Sequence, residues 1–142
     1  MKKALVTGGS GDIGAAICYK LAAQGFHVIV HSNTNLEKAQ AIAGKIQESG
    51  GSAEAAKFDV TNADETLAVV NRLSADSAIQ IIVNNAGIHK DAPLAGMSRE
   101  SWSSVINVSL NGFYNVTQPL LMPMIQTRWG RIINMSSVAG VM

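Results

Sequence analysis

The sequence predicts an α/β fold, a doubly wound and mainly parallel sheet with helices on both faces, and three observations lead there. Short apolar runs alternate with segments of helical periodicity, which implies right-handed crossovers between parallel strands. A glycine-rich stretch separates the first such run from the first such segment. Aromatic residues make up only 5% of the chain, so small and β-branched side chains must carry the helix-to-sheet packing. The 142 residues, 47% of them hydrophobic, suffice for one sizeable core.

The elements follow in order. Ala4 to Thr7 is an apolar run broken by Gly8 and Gly9, and reads as a buried strand. Ile13, Ile17 and Leu21 recur at four-residue spacing with Ala16 beside them, predicting a helix that Gly25 stops. Val28 to Val30 is the second strand. Leu36, Ala39, Ile42, Ala43 and Ile46 mark a second helix ending at Gly50 and Gly51, and Ala53 to Val60 contains the third strand. Leu67, Val70 and Leu73 lie on a third helix, and Ile79 to Val83 is a fourth strand running into Asn84 and Asn85. From Ser98 onward, Trp102, Val105, Ile106, Leu110, Phe113 and Val116 predict one long amphipathic helix whose end Pro119 and Pro123 interrupt or bend. Ser98 is a weak start signal, because Ser101 replaces the acidic partner of a capping box. Ile132 to Met135 is the fifth strand, before Ser136 and Ser137.

Composition narrows the partners. Eleven basic and ten acidic residues give a formal charge of +1 without a run of either sign, which leaves nucleic acid unsupported. Cys18 is the only cysteine, so no intrachain disulfide forms and a reducing, cytoplasmic compartment is expected. The apolar start is too short for a signal peptide or a membrane span. His27, His31 and His89 share no short spacing with acidic residues; no metal is expected, and all three read as isolated surface histidines.

A parallel sheet gathers the carboxyl ends of its strands on one edge, where ligands of such folds bind. Gly8, Ser32, Asp59, Asn85 and Ser137 should therefore converge. Gly9, Gly11 and Gly14 fit a G-x-G-x-x-G spacing between strand and helix, the Rossmann-like context for a dinucleotide. Pyrophosphate would approach the bare backbone while the helix amino terminus offers N–H groups and a favourable dipole. The other reading is a glycine turn chosen only for tight packing. Ala15 and Ala16 stand where a P-loop needs lysine and a hydroxyl residue. Asp12 must point away from the pyrophosphate or cap the helix.

The second strand ends in His31, Ser32, Asn33 and Thr34, with no carboxylate to accept the ribose hydroxyls of NAD, so NADP (NADPH) is the expected cofactor. Asp59 either receives the adenine amino group or caps a turn. Asn84 and Asn85 either tie strand ends together or touch cofactor.

These residues together resemble the short-chain dehydrogenase/reductase family, in particular its 3-oxoacyl-(acyl-carrier-protein) reductase branch. The stretches that carry the resemblance are Thr7-Gly8-Gly9-Ser10-Gly11-Asp12-Ile13-Gly14, Asp59-Val60, Asn84-Asn85-Ala86-Gly87, Asn107, and Gly130-Arg131-Ile132-Ile133-Asn134-Met135-Ser136-Ser137. The family's T-G-x-x-x-G-x-G places glycines at Gly8 and Gly14, but its middle glycine falls on Asp12. The basic residue that many NADP-dependent members carry at the place of Gly11 is also absent. Ser32 stands where NAD-dependent members usually have aspartate.

The resemblance implies that residues 1–142 are the NAD(P)-binding, amino-terminal part of a single-domain reductase. By it, Asp59 and Val60 serve the adenine, and Asn85, Ala86 and Gly87 border the nicotinamide-side ribose. Asn107, taken alone an ordinary polar residue on a helix, becomes the asparagine that anchors a water in a proton relay. Ser137 becomes the serine that hydrogen-bonds the substrate oxygen, with Ser136 supporting the strand end. The family's Tyr-x-x-x-Lys, with a further strand and helix, is expected beyond Met142, since neither Tyr19 nor Tyr114 begins such a stretch. The implied reaction is NADPH-dependent reduction of a 3-oxoacyl thioester, possibly on acyl carrier protein, by a homodimer or homotetramer. Arg128 and Lys90 are either contacts for that acidic carrier or simply solvated. The alternatives are a non-catalytic dinucleotide sensor or scaffold, or a short-chain dehydrogenase acting on another small alcohol or ketone.

Overall fold

In a computed structural model, which describes residues 1–141, five parallel strands form one sheet. They are β1 (Lys3–Val6), β2 (His27–Ser32), β3 (Ser52–Lys57), β4 (Ile79–Asn84) and β5 (Arg131–Asn134), in the order β3-β2-β1-β4-β5. Chain direction reverses from leftward to rightward growth at β1, so the crevice between β1 and β4 is the topological switch point where ligands of such sheets sit.

The helices α1 (Asp12–Ala23) and α2 (Leu36–Glu48) cover one face, and α3 (Ala63–Leu73) and α5 (Gly112–Gln126) the other. Side chains alternate across the sheet accordingly. Ala4, Val6, Val28, Val30, Ile81 and Val83 pack with Cys18, Ala39, Ile42, Ala43 and Ile46, whereas Leu5, Ile29, Phe58 and Ile82 pack with Val70, Leu73, Val116, Leu120 and Met124. Burial of the Cys18 thiol pushes it up to about 12, so it is a small apolar filler.

Several helix faces differ from the periodicity. Ile13 is 64% exposed, and α1 buries Gly14 and Cys18 instead, with Ile17 and Leu21 at their margin. A helix this close to the sheet needs small residues at the contact. Leu67 is exposed in the same way, and Thr66, Val70 and Leu73 face inward.

The long helix also departs from expectation. It begins at α4 (Arg99–Ile106), passes through a π-helical segment, Asn107–Asn111, and continues as α5. The extra residue of a π turn advances the helical phase by about 100°, so the apolar positions before and after it do not share a stripe. Of the predicted face only Val116 is buried, with Gly112, Thr117, Leu120 and Met124 completing the contact, while Trp102, Leu110 and Phe113 are exposed. Pro119 and Pro123 lie inside α5 and do not end it. Ser98 caps α4 after all, its Oγ accepting the Ser101 N–H at 3.1 Å.

Candidate functional site

Strand polarity puts the ends of β1, β2, β3, β4 and β5 on one edge, and hydrogen bonds join all five there. Thr7 is the hub: its Oγ1 donates to Val83 O and accepts the N–H groups of Asn85 and Ala86, both at 3.0 Å. The Asn85 amide donates to Thr7 O and Gly8 O at 3.1 and 3.2 Å. Asn84 donates to Thr117 Oγ1 and Asn134 Oδ1, tying β4 to α5 and to β5. Both asparagines therefore hold strand ends, and Gly87 beyond them is exposed.

The glycine turn is a compact backbone object. Gly8 adopts φ +64°, a conformation that favours glycine. A Cβ on Gly14 would lie 2.2 Å from Gly8 O and 2.7 Å from Gly9 Cα, and one on Gly9 would lie 2.9 Å from Val6 O. Gly11 is different: its φ of −80° suits any residue, and its Cβ would meet only Gly8 O, at 3.4 Å. The required glycines are thus Gly8, Gly9 and Gly14, and Gly11 belongs to the pattern without being demanded by the geometry.

Gly11 is the N-cap of α1 and supplies no side-chain cap, while Asp12 is an exposed first-turn residue. Asp12 does not cap the helix, contrary to one expectation; its carboxylate stands in solvent at the positive end of the dipole. Among the described residues the N–H groups of Asp12, Ile13 and Gly14 have no acceptor, as first-turn groups with no intrahelical partner. Three free donors at a bare backbone fit an anion the size of a phosphate.

His31 is no surface residue. It is 1% exposed and packs against Phe58 with ring centroids 4.1 Å apart and the rings tilted 46°. Its Nδ1 accepts the Gly8 N–H at 3.0 Å, and its Nε2 donates to Phe58 O at 2.7 Å. Both ring nitrogens are occupied, so of the expected cofactor-binding residues at the β2 end His31 has no ring nitrogen left to meet the cofactor. His27 is half-buried between Ser52 and Glu54 at the opposite edge, and His89 alone of the three is fully exposed.

Burial pushes His31 down to about 4, against the raising pull of the Phe58 carbonyl and the carboxylates of Asp59 and Glu65. The folded state thus holds it neutral while the unfolded chain titrates near its ordinary value. Stability from this group is complete above that value and falls as pH drops toward about 4. Between pH 7 and pH 5 the loss should be about 2 kcal/mol. Urea denaturation of the protein and of His31→Asn at both pH values checks this: the difference should shrink in the variant, and equal losses in both would refute the assignment.

The remaining residues fall as follows. Ser32 is buried, its Oγ accepting the Asn35 N–H at 3.1 Å, whereas Asn33 and Thr34 are exposed beyond it. Lys57, which the sequence reading passed over, pairs in register with Ser32 and is exposed, bringing a positive charge to the β2 end. Asp59 uses Oδ1 to hold Thr61 N–H and Thr61 Oγ1, leaving Oδ2 uncommitted. Val60 is buried and its carbonyl accepts from Asn115, another contact without a sequence signal. Asn107 opens the π segment, exposed, with Oδ1 accepting the Asn111 amide at 2.6 Å. Ser137 ends the loop after β5, exposed, with Oγ accepting the Ala139 N–H at 3.1 Å and its own proton free.

Arg128 turns away from this group. It follows α5 with φ +55°, just before β5 begins, and so lies at the edge opposite the glycine turn. Lys90 is exposed on the β4 side of the site edge. Among the described residues no three His, Cys, Asp or Glu side chains are grouped to hold a metal, and no helix is long and apolar enough to cross a membrane.

A sequence profile described as short chain dehydrogenase matches residues 2–142. The 3-oxoacyl-[acyl-carrier-protein] reductase of Chlamydia trachomatis is 44% identical over 142 residues, covering 99% of this chain and 57% of that protein. That of Aggregatibacter actinomycetemcomitans is 39% identical over 142 residues, with 96% and 57% covered. A gluconate 5-dehydrogenase from Burkholderia cenocepacia, solved with NADP and tartrate, superposes with a TM-score of 0.92 at 34% identity, covering 99% of this chain and 55% of that one. The chain therefore spans little more than half the length of the relatives it matches.

Proposed function

The chain belongs to the short-chain dehydrogenase family, and from that premise we propose that it is the cofactor-binding, amino-terminal part of a single-domain NADPH-dependent reductase of 3-oxoacyl thioesters carried on acyl carrier protein. The observation that carries the cofactor half is the glycine turn, where the N–H groups of Asp12, Ile13 and Gly14 have no acceptor among the described residues and Gly9 and Gly14 admit no side chain. The identity to two 3-oxoacyl-[acyl-carrier-protein] reductases supports the substrate.

The turn from Gly8 through Ser10, Asp12 and Ile13 to Gly14 binds pyrophosphate through its backbone. Asp59, with Oδ2 free, and Val60 receive the adenine, and Asn85, Ala86 and Gly87 border the nicotinamide ribose. NADPH, when bound, supplies the hydride. Ser137 donates a hydrogen bond from its hydroxyl to the substrate oxygen as charge develops there, keeping its own proton, and Asn107 anchors a water for proton delivery. The exposed Leu110, Phe113, Tyr114, Met122 and Ile125 along the long helix support assembly with further copies. A carrier bound at Arg128 would serve the site of another copy, since that residue lies across the sheet from its own.

The β2 end itself, His31 to Thr34, holds no carboxylate to oppose a 2′-phosphate, and Lys57 stands in register with Ser32 beside it. Full-length protein should accordingly bind NADPH at least about tenfold more tightly than NADH, and Ser32→Asp should erase most of that ratio by repulsion. Fluorescence titration of both cofactors at fixed salt reads the ratio. Equal affinities in the unaltered protein would exclude NADP preference, and an unchanged ratio in the variant would show that Ser32 does not face the phosphate.

A further inference from the structure

We propose that His31 is a positioning residue for the cofactor turn: held neutral in its Nε2-protonated tautomer, it fixes the left-handed Gly8 through that residue's N–H and couples the turn to the end of β3. The proposal rests on the dinucleotide reading of that turn but assigns His31 a place beneath the site, out of contact with the ligand.

Three contacts from one residue converge on the turn. His31 Nδ1 accepts the Gly8 N–H at 3.0 Å, its backbone carbonyl accepts the Ser10 N–H at 3.3 Å, and its backbone nitrogen packs so close to Gly9 that an added Cβ there would lie 3.2 Å from it. The other side of the Gly8 peptide is equally fixed, its carbonyl accepting from Gly11 N–H at 3.0 Å and from the Asn85 amide at 3.2 Å. Gly8 is thus clamped at both ends, and its carbonyl is the atom against which Gly14 must pack. The Nε2 bond to Phe58 O reaches the residue directly before Asp59. Pyrophosphate and adenine ends of the site are thereby joined through one imidazole.

Only one tautomer serves. A proton on Nδ1 would face the Gly8 N–H donor to donor, and without an acceptor that N–H would be left unsatisfied in the part-buried turn. Pyrophosphate and adenine are common to both nicotinamide cofactors, so losing the clamp should weaken NADPH and NADH equally, leave their ratio intact and spare turnover at saturating cofactor. A residue touching the 2′-phosphate would change the ratio instead.

The test uses full-length protein with residue 31 changed to Asn, Gln or Leu. Asn places an amide oxygen near the Nδ1 position and keeps an acceptor for Gly8; Gln reaches toward Phe58 O and does not; Leu does neither. Dissociation constants for NADPH and NADH should rise about tenfold in H31L and H31Q, in the same proportion for both cofactors, and recover most of the way in H31N. Hydrogen exchange of the peptide containing Gly8, measured without cofactor, should be slow in the unaltered protein and H31N and fast in the other two. Should H31L fail to fold, the contrast between H31N and H31Q decides alone. Equal binding and equal exchange in H31N and H31Q would overturn the clamp, as would a loss confined to NADPH. If the unaltered protein bound neither dinucleotide while exchange still depended on residue 31, the cofactor reading would fall and the clamp would stand.

Discussion

Gly14→Ala should abolish measurable dinucleotide binding and cost about 3 kcal/mol or more in stability, whereas Gly11→Ala should leave both close to those of the unaltered protein. The asymmetry is geometric. A Cβ at Gly14 would sit 2.2 Å from Gly8 O and 2.7 Å from Gly9 Cα, backbone atoms that no rotamer change can move aside. Relief requires α1 to retreat from the turn, which withdraws the free N–H groups of its first residues and opens the contact of Gly14 and Cys18 with the sheet. At Gly11 the added methyl meets a single atom at 3.4 Å and points to solvent. Cofactor titration and urea denaturation of full-length variants check the pair. A Gly14→Ala protein that binds like Gly11→Ala would show that the turn is softer than its packing implies.

Ser137→Ala should lower turnover about a hundredfold, corresponding to about 3 kcal/mol in the barrier, with NADPH affinity nearly unchanged. A hydrogen bond made to developing oxygen charge is strongest in the transition state, so its loss appears in kcat rather than in cofactor binding. Among the described residues the Ser137 Oγ serves only as acceptor from Ala139 N–H, so its proton is given to none of them. That bond is exposed, and its loss should cost little in folding. Ser136→Ala is the neighbouring control and should cost less. Normal turnover in Ser137→Ala, with chemistry rate-limiting, would return the hydroxyl to the role of capping the turn that follows β5.

The fold was legible because alternation of apolar runs and helical periods states it directly, and every strand and helix expected from Ala4 to Met135 is present with ends shifted by a few residues. What the sequence could not show is which glycine the turn needs. Gly9-x-Gly11-x-x-Gly14 matches a spacing, but only three-dimensional packing reveals that the Gly8 carbonyl excludes a side chain at Gly14 and leaves room for one at Gly11. The phase of the long helix was hidden for a related reason: a π turn leaves no mark in periodicity beyond a stripe that drifts.

Histidine at position 31 gave no local signal, since its partners, Gly8 and Phe58, come from other strands and offer backbone atoms. Lys57 became visible only through its register with Ser32, and Arg128 moved to the far edge once strand polarity was known. Residue type at a strand end identifies polar material; register and hydrogen bonding decide which side chains remain free to meet a ligand. On that basis Asn33, Thr34 and Ser137 keep free polar groups, whereas His31 has both ring nitrogens engaged in holding the site together.

The account is tested most directly by mixing full-length protein, NADPH and a 3-oxoacyl thioester and following the absorbance of the reduced nicotinamide. It predicts consumption of NADPH in proportion to the 3-hydroxyacyl thioester formed, with NADH a much poorer donor. Tight NADPH binding with no oxidation on adding thioester or simple ketones would contradict it, and would make the protein a dinucleotide-binding module instead of a reductase.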